Sequence, residues 1–235
     1  EFIAASIAVK MAELNISPDI FIQHRGHSTY LAFNGNIYEL IDEMLGRKTG
    51  CANGMGGSAS IQSKENNIYG HDGLMGNQVP ISVGACFASK LPTIVFIGDS
   101  AAEEDYTLSS IGWASTKKIP ILFIVEDNNL SILTEKKVRR NWEMHDVANS
   151  MHIKSFNIPD DPIKIYNHLK NSFSEPLLLN INTTRKYWHA GAGKDGENFD
   201  RYENEMNFFG SEGKEIDEYN KNLVLNAWKK QLEKQ

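Results

Sequence analysis

Four short runs of almost unbroken apolar residues set the frame: DIFIQ at 19–23, TIVFI at 93–97, ILFIV at 121–125 and PLLLNI at 176–181. Each is bounded by Pro, Gly, Asp or Asn, and strands buried on both faces have this appearance. Between them, apolar positions at helical spacing predict helices over about 37–45, 78–90, 103–117, 141–151 and 162–173. Alternating strands and helices predict an α/β fold, a doubly wound parallel sheet with helices on both faces. The expectation is one domain over 1–235, with 185–235 forming an active-site loop and a partner-facing tail. Ligands of such sheets lie outside the carboxyl ends of the strands. At the amino end, Ile3, Ile7, Met11 and Leu14 recur at helical spacing, which predicts a packed amphipathic helix rather than a signal peptide. The sequence opens without Met and inside an element, as a processed or truncated form would.

Composition narrows the function classes. The 235 residues are 41% hydrophobic and 23% charged, enough for one large core. A net charge of −6 and the lack of a basic stripe argue against a nucleic-acid surface. The densest positive run, KKVRR at 136–140, is expected to be a solvated loop. Cys51 and Cys86 lack CxxC spacing, which suggests reduced thiols and a cytoplasmic chain. No stretch reaches the ~18 apolar residues that a membrane span needs. The glycine-rich GCANGMGGSAS at 50–60 lacks the GK[ST] ending of a phosphate-binding loop, so a flexible loop is expected there. A second glycine-bearing stretch, YGHDGLMGNQVP at 69–80, leads into the helix that begins near Gln78.

The candidate chemistry lies at two strand ends. TIVFI stops at Gly98-Asp99, and ILFIV stops at Glu126-Asp127-Asn128-Asn129. One right-handed crossover between them places Asp99 and Asn128 at the same sheet edge on neighbouring strands. A carboxylate, an amide oxygen and a backbone carbonyl suit Mg²⁺, which completes its shell with phosphate oxygens and water. Ser100, Ala101 and Ala102 bring backbone N–H groups to a helix start, a phosphate site. Taken singly, Asp99 reads as a helix cap and Asn128 as a turn former.

The Gly-Asp…Asn-Asn arrangement resembles the thiamine diphosphate motif. The surrounding stretch, roughly 1–201, resembles the alpha subunit of the first component of 2-oxo acid dehydrogenase complexes, the pyruvate, acetoin and branched-chain type. Its landmarks stand in family order: HRGH at 24–27, GRKTGCANGMGGS at 46–58, YGHDGLMGNQVPISVG at 69–84, the block 98–129, and RKYWHAG at 185–191. The resemblance implies a thiamine diphosphate-binding fold with thiamine diphosphate and Mg²⁺ as cofactors. It assigns Asp99, Asn128 and the Leu130 carbonyl to the metal. It assigns Arg25, with His24 beside it, to the diphosphate, alongside the cofactor-binding helix start at Ser100 and Ala101 read above. Gly73 and Met75 match positions that touch the aminopyrimidine. His27 matches an active-site wall residue, and His189 a histidine beside the thiazolium on a loop whose base carries Arg185. His27 and His189 are the implied catalytic residues. The loop 189–200 is expected to order on cofactor binding. The glutamate that activates the aminopyrimidine comes from a beta subunit, so an alpha2beta2 assembly is implied, with a small 2-oxo acid as substrate and a lipoyl acyltransferase as acyl acceptor.

Several positions depart from that pattern. Ser100 replaces the third glycine of the motif, and Glu103, Glu104 and Asp105 crowd the following helical turn with negative charge. Ser109 and Gly112 stand where relatives carry Glu and Asn, and Ala190 replaces a phosphorylated serine. Three readings stay open: a dehydrogenase alpha subunit, a non-redox carboligase or transketolase-like subunit, and a non-catalytic assembly homologue.

Overall fold

The computed structural model describes residues 2–169, 173–189 and 199–234. In chain order the elements begin with α1 (Phe2–Glu13), β1 (Asp19–Phe21), α2 (His27–Ala32), α3 (Ile37–Met44), β2 (Ile68–Tyr69) and α4 (Gln78–Ser89). Next come β3 (Thr93–Gly98), a 3-10 turn (Ala101–Glu103), α5 (Asp105–Lys117) and β4 (Ile121–Asp127). A hairpin of β5 (Leu130–Ser131) and β6 (Thr134–Glu135) leads into α6 (Lys136–Arg139) and α7 (Met144–Ser150). The chain continues with β7 (Lys154–Pro159), α8 (Pro162–His168), β8 (Leu177–Asn182) and α9 (Arg201–Leu232).

The main sheet has six strands in the order β2-β1-β3-β4-β8-β7, every pair parallel. Its central strands carry the apolar runs because both faces are covered. On β3, Ile94 and Phe96 pack with Ile7 of α1, Leu40 of α3 and Ile165 of α8. Val95 and Ile97 face the other way, against Val83 of α4, Ile111 of α5 and Met144 of α7. This is the doubly wound arrangement expected.

Four local expectations need correction. Both outer strands lacked a sequence signal: β2 has two residues, and β7 (KSFNIP) interrupts its apolar positions with Lys, Ser and Asn. Edge strands are covered less completely, so the near-continuous apolar code does not apply. The helix expected from 103 begins as a 3-10 turn, and α5 proper starts at Asp105. Leu14 lies past the end of α1 and is exposed. The tail, expected to be a surface or partner-facing helix over 215–235, is helical from Arg201 and breaks at Gly210, where φ is +58°. Its last turns dock on α3: Arg47 donates to Asp42 at 3.1 Å and to the carbonyls of Gln231 and Lys234 at 2.6 and 2.9 Å.

The glycine-rich stretch 50–60 is not a free loop. It wraps the buried carboxylate of Glu43, in the last turn of α3. Oε2 accepts the N–H groups of Ala52 and Gly54 at 2.7 and 2.9 Å, and Oε1 those of Gly56 and Gly57 at 2.6 and 3.1 Å. Gly54 and Gly57 sit at φ +75° and +58°, where a side chain would be strained. The backbone thus forms an anion nest, and the chain fills it with its own carboxylate. Burial pushes the Glu43 carboxyl up, but the four donors outweigh it and hold the group below its ordinary value. Glu43→Ala is expected to cost at least ~3 kcal/mol in urea unfolding, because several buried N–H groups lose their acceptor. Glu43→Gln is expected to recover little, since its NH₂ would face two donors. With the carboxyl held low, its stabilisation is complete above the ordinary carboxylate range and fades as pH falls through the folded value. Unchanged unfolding of Glu43→Ala would contradict the nest.

Candidate functional site

The carboxyl edge of the sheet gathers the candidate residues. Gly98 at the end of β3 pairs with Glu126 of β4, so Asp99 emerges level with Asp127 and one step from Asn128. Asp99 is buried, and its Oδ2 accepts from Arg139 Nη2 at 2.6 Å. Arg139 Nη1 donates to Glu103, and Arg140 Nη1 donates to the Asp99 carbonyl at 3.3 Å. Burial pushes the Asp99 carboxyl up; the neighbouring Asp127 charge adds to this and Arg139 opposes it. Lys136 bridges Asp127 and Glu143 at 2.8 Å each. The run 136–140 is therefore no solvated loop. Lys137 and Val138 face water, while Lys136, Arg139 and Arg140 turn inward to neutralise acids at the strand ends.

Asp127 and Asn128 shape the turn that follows β4. Asp127 Oδ1 accepts from the Asn129 N–H at 3.0 Å, and Asn128 Oδ1 accepts from the Leu130 N–H at 3.0 Å. Asn129 takes the left-handed conformation at φ +65°, which asparagine tolerates better than most residues. The turn-forming role of Asn128 is thus present, and it leaves an amide lone pair beside Asp99. The helix-cap role for Asp99 is not: α5 begins at Asp105, six positions on. Ser100 donates its hydroxyl to Ser131 Oγ at 3.0 Å, linking the turn after β3 to β5, which also holds Leu130. Among the described residues no group of three or more His, Cys, Asp or Glu side chains could hold a metal. A cation here would rest on mixed oxygen donors.

The opposite flank carries imidazoles. Arg25 Nη2 donates to His189 Nδ1 at 2.9 Å and to the His189 carbonyl at 2.5 Å. His24 stacks obliquely on His71, with ring centroids 5.6 Å apart. Burial first, then the charges of Arg25, His71 and His189, push the His24 imidazole down to about 4. Burial lowers His71 as well. His24 Nδ1 and both ring nitrogens of His71 are buried without hydrogen-bond partners. His27 opens α2 and contacts the carbonyl and hydroxyl of Ser58 at 2.9 and 3.0 Å, so it pins the glycine-rich stretch. Gly73 has φ +105°, and the exposed Met75 gives its carbonyl to the Tyr106 hydroxyl. Arg185 donates to the Ile132 carbonyl at 2.8 Å, tying the segment before His189 to the β5–β6 hairpin. The expected loop 189–200 lies, except for His189, Phe199 and Asp200, outside the described residues, as does Ala190.

One contact joins the two flanks. Gln23, after β1, donates to Glu126 on β4, passing over β3 at Gly98. A Cβ on Gly98 would stand 3.4 Å from Gln23 Oε1, so the crossing passes directly over this residue.

With this geometry in place, the known relatives can be compared. A family model described as the dehydrogenase E1 component matches residues 3–235. The chain belongs to the dehydrogenase E1 component family. It is 31% identical over 184 residues to the pyruvate dehydrogenase E1 component subunit alpha of Rickettsia felis, covering 71% of this chain and 55% of that one. The Rickettsia typhi protein of the same name is 30% identical over 204 residues, covering 76% and 61%. The mitochondrial subunit alpha-1 of Oryza sativa is 33% identical over 135 residues, covering 55% and 35%. The chain thus spans between about a third and three fifths of these relatives. Among solved structures, the transketolase of Campylobacter jejuni superposes with a TM-score of 0.56 at 15% identity, over 77% of this chain and 36% of that one. The transketolase of Leishmania mexicana gives 0.55 at 16%, over 72% and 29%. At such identity the likeness concerns the fold.

In this E1-component chain, sequence reasoning found the strand-end residues and missed three others: Arg139, Arg140 and His71. Their signal was present. Strands ending in Asp99 and Asp127 need cations nearby, and 136–140 is the dense cationic run that follows. His71 sits in a glycine-bearing turn, where an imidazole has no helix or strand to support.

The His24 environment has a measurable consequence. A histidine with its folded value near 4 leaves the folded state unprotonated while the unfolded chain takes up a proton below 6.5. Stability therefore rises with pH across that window, and His24→Gln is expected to flatten the rise. An NMR titration should place the His24 midpoint near 4; a midpoint near 6.5 would contradict the buried assignment.

Proposed function

We propose that this chain is the alpha subunit of a thiamine diphosphate-dependent 2-oxo acid dehydrogenase. In this reading it decarboxylates a 2-oxo acid and passes on the acyl group, in an active site completed by a beta subunit of an alpha2beta2 assembly. The observation that carries the proposal is the buried Asp99 carboxylate just past β3, one step in register from Asn128, which follows the neighbouring strand β4, in an E1-component chain.

The donors fit the cofactor. Asp99 requires a positive partner, and a hard divalent cation is a natural one for a carboxylate, an amide and a carbonyl. Asp99, Asn128 and the Leu130 carbonyl would hold Mg²⁺. The turn at Ser100 and Ala101, with Arg25 and the neighbouring His24, would take the diphosphate, and Gly73 and Met75 the aminopyrimidine. When bound, thiamine diphosphate supplies an electron sink for decarboxylation of the 2-oxo acid.

The protein's own groups orient and move protons. Arg25 donates to His189 Nδ1, which leaves the ring proton of neutral His189 on Nε2. That nitrogen is the one able to donate a hydrogen bond to a substrate oxygen. His24, held neutral by its surroundings, is a weak base and serves as a neutral hydrogen-bonding group rather than a proton store. His27 anchors the wall formed by 50–60. Arg185 fixes the base of the segment carrying His189. The acid that activates the aminopyrimidine is assigned to the beta subunit, and a lipoyl acyltransferase is the proposed acyl acceptor. A cytoplasmic setting suits the free thiols of Cys51 and Cys86.

Asp99→Ala is expected to abolish metal-dependent cofactor binding, since losing one partner of a buried charge pair costs ~3–5 kcal/mol. Cofactor affinity within about twofold of the unaltered chain would refute the site. Dye reduction with pyruvate or branched 2-oxo acids should be negligible for the isolated chain and appear with a beta chain. Robust turnover by the pure chain would favour the carboligase or transketolase-like alternative.

A further inference from the structure

The metal position assigned above already has a cation beside it. Arg139 Nη2 lies 2.6 Å from Asp99 Oδ2, and Arg139 Nη1 is shared with Glu103. Arg140, whose side chain is 1% exposed, lies 3.3 Å from the Asp99 carbonyl and 3.5 Å from Glu103. Three guanidinium positions at this cluster, Arg139 Nε and Arg140 Nε and Nη2, are buried and make no hydrogen bond, Arg140 Nη2 having only a long 4.0 Å ion pair with Asp127. Buried donors in folded proteins almost always find acceptors. Guanidinium N–H groups without a hydrogen-bond acceptor, beside a paired carboxylate, are poised for an anion rich in oxygens. α6, which ends at Arg139 with Arg140 as its cap, has four residues, and the hairpin before it makes a two-residue ladder, so the pair stands on a light support.

We infer that Arg139 is a stand-in cation for the metal: it neutralises Asp99 until a divalent ion arrives, then turns with Arg140 to the diphosphate. This rests on the metal–diphosphate reading above and adds two residues to it. The coupling is electrostatic. A guanidinium on one carboxylate oxygen repels a divalent ion approaching the other, so metal alone must compete with Arg139. A diphosphate removes the conflict, because it offers Arg139 and Arg140 new acceptors and offers the metal new ligands. Metal and diphosphate therefore favour each other's binding, and by linkage the coupling is equal in both directions. Glu103 serves as the pivot, since its carboxylate holds Arg139 while the guanidinium exchanges partners.

The test uses Mn²⁺ and inorganic pyrophosphate on the full chain, with free Mn²⁺ followed by EPR and folding checked by thermal melting. Arg139→Gln is expected to bind Mn²⁺ alone about tenfold more tightly than the unaltered chain, and pyrophosphate in the presence of Mn²⁺ about tenfold more weakly. Lys137→Gln removes the same charge from the same helix at a residue facing water, and should change neither. Arg139→Lys keeps the charge but cannot span Asp99 and Glu103 together, so it should fall between; it also serves if Arg139→Gln fails to fold. Unchanged or weaker Mn²⁺ binding in Arg139→Gln, while the unaltered chain binds Mn²⁺ with pyrophosphate, would overturn the inference and leave the functional reading standing. Equal effects from Lys137→Gln would overturn it too, by reducing it to net charge. If the unaltered chain binds neither probe, both readings fall together.

Discussion

A carboxylate placed at the end of a fully covered strand must find a positive partner, and the carboxyl edge of this sheet is organised around that demand. Asp99 and Asp127 are buried because β3 and β4 are central, with helices on both faces. Both acids are largely shielded from water. The chain answers with α6, which swings Lys136, Arg139 and Arg140 over the strand ends. Fixing α6 also fixes the β5–β6 hairpin, and through Ser131 and Ile132 the hairpin holds Ser100 and Arg185. One neutralisation problem thereby positions the groups proposed for metal, for phosphate and for the base of the His189 segment.

The two glycine-rich stretches solve different problems despite their similar composition. The first bends its N–H groups around Glu43 and so consumes them within the protein. The second keeps a left-handed Gly73 and a crowded Gly76, whose added Cβ would lie 2.9 Å from the Ala101 carbonyl. That approach brings the turn after β2 against the 3-10 turn after β3, so both strand ends share one wall. Closeness of this kind is what a cofactor running across the sheet edge requires.

What the sequence disclosed followed from burial. Central strands announce themselves because every side chain is apolar, and Asp99 and Asn128 stand out where those runs stop. The edge strands β2 and β7 do not, since partial exposure admits Lys, Ser and Asn. Arg139 and Arg140 were legible only as a cationic run: Asp99, which Arg139 neutralises, lies 40 positions away, so no local pattern says which acid each cation meets. The Glu43 nest was hidden likewise, because a glutamate in an amphipathic helix reads as solvent-facing until the loop closes over it. Membership of the E1-component family, in contrast, was legible from five ordered landmarks, each too short to carry it singly.

The central claim is that Asp99 and Asn128 mark a metal–diphosphate site on the carboxyl edge. A crystal structure grown with Mn²⁺ and thiamine diphosphate, analysed by anomalous scattering at the manganese edge, addresses it most directly. The account predicts one strong peak within coordination distance of the Asp99 carboxylate and the Asn128 amide oxygen, with Arg139 moved off Asp99 towards the diphosphate. A fully occupied manganese site elsewhere, with the Asp99–Arg139 pair intact beneath bound cofactor, would contradict it.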